Sequence, residues 1–326
     1  MDYVRWGDEA TTSLGSRDDV RVISLPVELV YRPREPVSIG LTLAALQRGG
    51  GDPTQRVTPD GALWRTALTP RGAATLRLGR SGEAVRASAW GDGAEWMLAQ
   101  VPDLLGASDD VSGFVPHHDV VRATWRRLSS MRLCRTGLVF EQLVPAVLEQ
   151  RVTGKEARSA FRHLVRRYGQ QAPGPAPAGM RVSPEAGVWR RIPSWEWHRA
   201  NVDPGRARTV IAAAGVAHRL EESLALPREV RLVRLRAIPG VGAAWTAAEV
   251  AQRAWGDADE VSVGDFHLPA LVGWALSGRP VDDAGMLELL APYPGHRHRV
   301  VRLVEMSGVR KPAFGPRMPS GDIRAI

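Results

Sequence analysis

The hydrophobic period of this chain changes once, near residue 112, and that change most constrains its fold. Between Val20 and Trp90, short runs alternate apolar and polar residues and are broken by Gly, Pro and Asp, which is typical of antiparallel strands. From Val120 onward, apolar residues recur every three or four positions, as in amphipathic helices. The sequence therefore predicts an α+β chain, in which a small antiparallel sheet domain is followed by an all-α bundle.

The helical part begins with three amphipathic segments, at 120–131, 140–151 and 155–168. A proline-rich stretch at 169–187 predicts a loop, and 227–255 predicts two helices joined at a glycine turn. We therefore expect three parts: a sheet-containing domain at 1–112, a helical domain at 113–230 and a second helical region at 231–326.

Composition excludes several classes of protein. With 326 residues, of which 44% are hydrophobic and 24% charged, the chain has globular proportions and room for about two domains. No apolar run approaches the roughly 18 residues of a membrane span, and the N-terminus has no apolar signal core, so we predict a cytoplasmic protein. The single cysteine, Cys134, excludes an internal disulfide, a four-cysteine zinc site and an iron-sulfur cluster.

Charge is distributed unevenly along the chain. Residues 1–112 hold 12 Arg against 15 Asp or Glu, a net charge of −3. The whole chain has a net charge of +8, so the remaining residues carry +11. This asymmetry favours binding of a polyanion to the C-terminal two thirds of the chain. Arginine-rich composition with only two lysines, Lys155 and Lys311, is also what genomic base composition can produce.

The glycine turn lies in the segment Ile238-Pro239-Gly240-Val241-Gly242, between two helical patterns. Glycines here allow close backbone approach and leave amide N–H groups at a positive helix N-terminus, which would suit a phosphate. An ordinary helical hairpin with glycine for tight packing explains the same pattern. A Walker loop is excluded because no Gly-Lys-Ser/Thr follows.

A second segment, Val261 to Pro269, places Asp265 twenty residues after Trp245 and just before a new helix. Together with the turn, it resembles the helix-hairpin-helix (HhH-GPD) DNA glycosylase superfamily, in its bacterial inducible 3-methyladenine DNA glycosylase II branch. Phe140 to Val152 is similar to the family helix that precedes the DNA-wedging residue, and the sheet is similar to the extra domain of that branch. One departure is that three residues, not two, separate Gly242 from Thr246.

The resemblance implies that Asp265 is catalytic and that the helices form a helix-hairpin-helix glycosylase bundle. A carboxylate beside the sugar would stabilise an oxocarbenium-like state, although Asp265 also suits a plain helix N-cap. Bifunctional relatives use a lysine just after the hairpin glycines, where this chain has Ala and Trp, so we expect a monofunctional enzyme. The enzyme would need no cofactor and no metal held by side chains. A structural K⁺ or Na⁺ bound by backbone carbonyls of the hairpin would also fit the resemblance.

The resemblance also assigns two groups of residues. The base pocket would comprise Trp245, Phe266, Glu249 and Trp274. The DNA-binding residues would be Gly240, Gly242, Ala244, Thr246, His267, Gln150 and Arg151. The aromatic residues also suit plain core packing, and Arg151 suits an exposed charge at a helix end. Glu249 replaces an aromatic residue of the resembled branch, and it could hydrogen-bond a base edge, favour a cationic base or face solvent.

We therefore predict a monomeric, nucleoid-associated DNA glycosylase that flips damaged, alkylated purines out of double-stranded DNA and starts base excision repair. One rival is a glycosylase for an oxidised or deaminated base. The other is a non-catalytic protein that binds damaged DNA.

Overall fold

A five-stranded antiparallel sheet forms the N-terminal part of the molecule. The computed structural model describes residues 25–242, 244–310 and 321–325. The strand order is β1-β5-β4-β3-β2, with β1 at Val27–Tyr31, β2 at Gln55–Val57, β3 at Leu63–Thr69, β4 at Gly72–Ser81 and β5 at Ala84–Trp90. The predicted small antiparallel sheet is confirmed, although the first 24 residues of the predicted domain lie outside the described residues.

Alternation of side chains along the strands explains why one face of the sheet is covered. On β4, Ala74, Leu76 and Leu78 point to the same face and are fully buried. Three short helices contribute to the same core, namely α1 (Ile39–Leu43), α2 (Ala94–Ala99) and α3 (Val101–Leu104). Cys134 lies in this core, where burial raises the pKa of its thiol.

Twelve more helices are described after the sheet. They are α4 (Asp119–Arg127), α5 (Val139–Leu148), α6 (Gly154–Tyr168), α7 (Ala186–Arg191), α8 (Ser194–Arg199), α9 (Pro204–Gly215), α10 (Ala217–Glu222), α11 (Arg228–Arg236), α12 (Ala244–Val250), α13 (Leu268–Ser277), α14 (Asp283–Leu290) and α15 (Arg297–Met306). A π-helical turn, Ala251–Trp255, continues α12. Within the predicted loop at 169–187, two strands pair, β6 (Gln170–Gln171) and β7 (Arg181–Val182).

The apolar helix α5 lies at the centre of the bundle. Its residues are apolar on nearly every side, as expected of a helix surrounded by others, and it packs against α9 and α12. The sheet domain docks on this helix through an ion pair between Arg65 on β3 and Glu141 on α5. Burial raises the pKa of Glu141, and Arg65 opposes that shift.

A second helical core joins α4 to the C-terminal helices. Val121 on α4 packs with Val272 on α13 and Val301 on α15. This packing crosses the boundary expected near residue 230, so the three-part division stays a prediction. Within the described ranges, no helix is both long and apolar enough to cross a bilayer.

Candidate functional site

The turn between α11 and α12 is anchored by apolar residues and exposes its glycines. Ile238 and Val241 are buried in the bundle core, and the N–H of Val241 donates to the carbonyl of Ile238 at 2.9 Å. Gly240 and Gly242 are exposed, and α12 begins at Ala244, after residue 243, which lies outside the described residues. The predicted helix, glycine turn and helix are therefore all present.

The two glycines of the turn have different reasons for being glycine. Gly240 has φ +86°, in the left-handed region, and a Cβ atom there would collide with the hydroxyl of Thr209 on α9. At Gly242 a Cβ atom would meet no heavy atom within 4 Å. Packing therefore explains Gly240 but not Gly242, and a bare backbone at Gly242 is what close approach of a phosphate would require.

Gln150, which follows α5, ties the hairpin to the turn between α5 and α6. Its side-chain amide donates to the carbonyl of Gly240 at 2.9 Å and to the hydroxyl of Thr246 at 2.8 Å. Thr246 is only 1% exposed, so its side chain holds Gln150 instead of lying on the surface. Three residues predicted from the resemblance are thus brought together, while their contact with DNA stays a prediction.

Arg151 protrudes from the α5–α6 turn in an unusual backbone conformation. Its φ is +56°, which costs a residue with a side chain roughly 1–2 kcal/mol. Immediately after it, α6 begins with a capping box between Thr153 and Glu156. The strained turn leaves the Arg151 side chain exposed beside the hairpin, as a DNA-wedging residue would have to be.

Asp265 is held by three N–H groups. One carboxylate oxygen accepts from the backbone N–H groups of His267 (2.7 Å) and Leu268 (2.8 Å). The other oxygen accepts from the indole N–H of Trp245 at 3.0 Å. Asp265 therefore caps the start of α13 and also faces the first turn of α12. The side chain is partly exposed, and the indole contact orients it beside the glycine turn.

The other two aromatic residues predicted for the base pocket, Phe266 and Trp274, differ in exposure. Phe266 is 81% exposed and makes an edge contact with the His267 ring. Trp274 is partly buried on α13, and among the described residues no ring contact links it to Trp245 or Phe266. An exposed ring can line an open cleft but does not enclose a cavity, so the place of Phe266 in the base pocket stays a prediction. Trp245 is the predicted aromatic residue that contacts Asp265.

Glu249 lies one turn after Trp245 on α12, and it does not face solvent. Its side chain is 13% exposed, accepts from the Ser262 hydroxyl at 2.6 Å and pairs with the Arg253 guanidinium at 2.8 Å. Ser262 is itself held by the side-chain amide of Gln252 at 3.0 Å. The Glu-Arg spacing of four residues was visible in the sequence, but Ser262 could be found only in the folded chain.

The sheet domain adds Arg48, a buried residue near Glu249 and Arg253 that sequence analysis missed. Arg48 is 7% exposed and reaches Glu149 and Gln142 on the α5 side, each at 3.4 Å. Burial lowers the pKa of Arg48, and the charge of Glu149 opposes that shift. Arg253 also touches the sheet domain, since its Nε donates to the carbonyl of Ala45 at 2.9 Å. No local motif marked Arg48, because its role depends on how two distant segments dock.

The described residues offer no side-chain metal centre, since no group of three or more His, Cys, Asp or Glu among them is placed to hold an ion. A monovalent cation at the hairpin would need backbone carbonyls. Two of these, on Ile238 and Gly240, already accept N–H groups of the protein, so a cation would have to share them. The cation stays a prediction, and no step below uses it.

Solved structures that share this fold over most of the chain include DNA glycosylases. The 3-methyladenine DNA-glycosylase from Archaeoglobus fulgidus aligns with a TM-score of 0.68 at 15% identity, over 86% of this chain and 98% of the other. The apo 8-oxoguanine glycosylase/lyase from Clostridium acetobutylicum aligns with a TM-score of 0.66 at 12% identity, over 88% and 99%. The Clostridium enzyme bound to dsDNA containing cytosine opposite 8-oxoG has a TM-score of 0.65 at 11% identity, over 86% and 96%.

No family model matches the chain, and no curated protein matches it. At identities this low, the structural likeness shows that the chain shares the fold of these DNA glycosylases, and the activity has to be argued from the residues.

Proposed function

We propose that this protein is a monofunctional DNA glycosylase that removes alkylated purines from double-stranded DNA, with Asp265 as its catalytic residue. The observation that carries the proposal is the hydrogen bond from Trp245 to Asp265 beside the exposed glycine turn. It puts a carboxylate, an aromatic ring and a backbone surface next to one another, on the fold of known DNA glycosylases.

The chemistry asks for a negative charge near a sugar. As the bond between C1′ and the base breaks, the sugar acquires oxocarbenium character, and an oriented carboxylate stabilises that charge. Asp265 would also accept a proton from the attacking water, whose oxygen then bonds to C1′ as the bond from C1′ to the base breaks. The three N–H donors fix the carboxylate before DNA binds, so little reorganisation is needed.

The surface around Asp265 supports a grip on the DNA backbone. Gly242 leaves the start of α12 bare, and the N-terminus of a helix attracts phosphate. Arg151, on the neighbouring turn, has a planar charged group that can stack in the gap left by an extruded nucleotide or pair with phosphate. Gln150 holds the two turns at a constant separation.

Monofunctional action is supported by the residues at the start of α12, where the resembled bifunctional enzymes carry their lysine. A lyase needs an amine close to the sugar to form a Schiff base. In this chain Ala244 and Trp245 occupy the first positions of α12, and Lys155 lies in the first turn of α6. Lys311 lies outside the described residues. The protein should therefore release a free base and leave an intact abasic strand.

Alkylated purines are proposed because Trp245 supplies an electron-rich face next to the catalytic carboxylate. Alkylation at a ring nitrogen makes the purine cationic, and a cation is attracted to the face of an indole. It also weakens the glycosidic bond, so modest stabilisation of the sugar suffices.

The test is base release from duplexes carrying 7-methylguanine, 3-methyladenine, hypoxanthine or 8-oxoguanine, with alkali used to reveal abasic sites. Asp265→Asn should lower single-turnover excision by about 10²–10³-fold, the usual effect of removing one transition-state charge partner. The asparagine oxygen still accepts from His267 and Leu268, but its amide group cannot accept from the Trp245 indole N–H, so the melting temperature should fall only slightly.

Excision that persists in Asp265→Asn would refute the catalytic assignment, and strand breaks without alkali would refute monofunctional action. Tight binding to the same duplexes without release of any base would instead support a non-catalytic damaged-DNA-binding protein.

A further inference from the structure

The face of α12 that begins at Trp245 continues inward through Glu249 to Arg253. Residues four apart lie on the same side of a helix, one turn above the other. Trp245, at the outer end, contacts Asp265, whereas Arg253, at the inner end, contacts the sheet domain. A purine whose sugar lies at Asp265 and whose ring stacks on Trp245 would therefore point its far edge towards Glu249.

Glu249 is built as a fixed hydrogen-bond acceptor. The Ser262 hydroxyl donates to one carboxylate oxygen, and Arg253 pairs with the other. A carboxylate offers about four lone-pair positions on two oxygens, so each oxygen keeps acceptor capacity beyond these contacts. Gln252 restrains Ser262, and the carbonyl of Ala45 restrains Arg253, so the carboxylate cannot turn away at low cost.

Because Arg253 pairs with Glu249, we expect this carboxylate to recognise a base by directional hydrogen bonds and not by the positive charge of the base. Arg253 pairs with Glu249 and the buried Arg48 pairs with Glu149, so each of these carboxylates has a guanidinium beside it. The guanidinium of Arg253 therefore offsets the attraction of the Glu249 carboxylate for a positive base. The Glu249 carboxylate thus offers a base two adjacent acceptor oxygens at fixed positions.

Two adjacent acceptors match one purine edge. The Watson–Crick edge of guanine carries two neighbouring donors, the N1–H and the 2-amino group, which a carboxylate can bind together. The edge of adenine has one donor next to an acceptor nitrogen, so one carboxylate oxygen would face a lone pair. A base that leaves a buried acceptor unpaired is rejected, because the lost hydration is not replaced.

We propose that Glu249 reads the N1–H and 2-amino edge of the extruded base, so that the alkylated purines removed by this protein are chiefly derived from guanine. This inference rests on the proposed function, since it needs a base extruded beside Asp265. Ser262 and Arg253 act as positioning residues for Glu249, and the sheet domain contributes the buried positive charge of Arg48 nearby.

The test compares lesions with two, one and no donors at this edge, namely 7-methylguanine, hypoxanthine and 1,N6-ethenoadenine. Single-turnover rates of Glu249→Gln are divided by those of wild type on the same lesion, which cancels the different lability of the bases. We expect a fall of about 10–100-fold on 7-methylguanine, an intermediate fall on hypoxanthine and less than about threefold on ethenoadenine. Ser262→Ala should show the same order with smaller losses.

The matched control is Glu260→Gln. Glu260 has a 14% exposed side chain and pairs with Arg228 and Arg236, so it resembles Glu249 in burial and charge pairing. It should leave all three rates unchanged. An equal fall on every lesion in Glu249→Gln, or no fall on 7-methylguanine, would overturn the assignment.

A binding measurement separates failure of this inference from failure of the proposed function. Calorimetry with DNA containing an abasic-site analogue should show that free 7-methylguanine binds wild type more tightly than free ethenoadenine, and that Glu249→Gln removes the difference. If wild type excises no lesion, the proposed function fails, yet this titration still decides what Glu249 reads. Equal affinities of the two bases for wild type would refute the inference even in an active glycosylase.

Discussion

Two turns meet at the candidate site, and each contains a residue with positive φ. In the hairpin that residue is Gly240, whereas in the α5–α6 turn it is Arg151. Gln150 joins the two turns through the Gly240 carbonyl. At Gly240, both the backbone angle and the Thr209 contact forbid a side chain. At Arg151, a strained backbone is retained together with a long, charged side chain.

The difference between the turns separates folding from DNA recognition. Glycine at 240 is required for the hairpin to pack on α9, so that position serves the fold. Glycine would also suit position 151, and an arginine held there at a cost in free energy points to a role outside folding. The same contrast holds within the hairpin, because Gly242 has open space around it.

The largest effect is expected at the hairpin. Gly240→Ala should lower the free energy of unfolding by about 2–4 kcal/mol, because the methyl group meets the Thr209 hydroxyl and an L residue is strained at this φ. Urea denaturation measures the change. Thr209→Ala in the same chain should restore part of the loss, and Gly242→Ala should leave stability nearly unchanged. Equal losses for the two glycine variants would contradict the comparison.

A pH-dependent effect is expected at the other end of α5, the helix that carries the Arg151 turn. Glu221 accepts from the N–H groups of Val139 and Phe140, but burial outweighs these bonds and raises its pKa to about 7. Because the folded protein holds this proton more tightly than the unfolded chain, its contribution to stability is complete below pH ~4.5 and is lost as pH rises through ~7.

The free energy of unfolding should therefore fall by up to about 3 kcal/mol between pH 5 and pH 8. Glu221→Gln should remove most of that fall, since the amide does not titrate and still offers an oxygen to one N–H. Denaturation curves of both proteins at several pH values measure the difference. Parallel pH profiles would show that Glu221 is not the titrating group.

The smallest change in stability is expected at Arg151. Arg151→Gly relieves the left-handed strain but adds freedom to the unfolded chain, so stability should be unchanged or rise by up to about 1 kcal/mol. Affinity for duplex DNA containing an abasic-site analogue should nevertheless fall about tenfold, because a side chain that contacts DNA is lost. Arg151→Lys, which keeps charge and strain, should lose less affinity. A drop in stability without a drop in affinity would assign Arg151 to the fold.

Local patterns predicted the elements that local physics controls. The alternation on β4 and the three- and four-residue spacing on α5 and α6 correctly indicated strand and helices, because each buried face repeats with the period of its element. The strands β6 and β7 were missed, since pairs of two residues in a proline-rich stretch leave no periodic signal. The packing of α4 against α13 and α15 also had no local marker.

The residues of the candidate site also fall into two groups, those that the sequence predicted and those that only the folded chain revealed. Spacing along the chain, read together with the family resemblance, assigned Gln150, Gly240, Trp245 and Asp265 to one site. In the folded chain, hydrogen bonds join Gln150 to Gly240 and Trp245 to Asp265. The exposure of Phe266 could not be read from its type, since an aromatic residue beside a functional carboxylate suits a pocket wall equally well. The partners of Glu249 and the burial of Arg48 depend on contacts between segments far apart in sequence.

Hydrophobic period and turn residues act over a few neighbours, so the order of the elements and the chemistry available at the glycine turn could be read from the amino-acid sequence. Three features became visible only in the folded chain: Thr246 is buried and bonded to Gln150, Phe266 is exposed to solvent, and the sheet domain supplies a buried arginine near Glu249. Burial and charge pairing are properties of docked surfaces, so they exist only once distant parts of the chain have packed together.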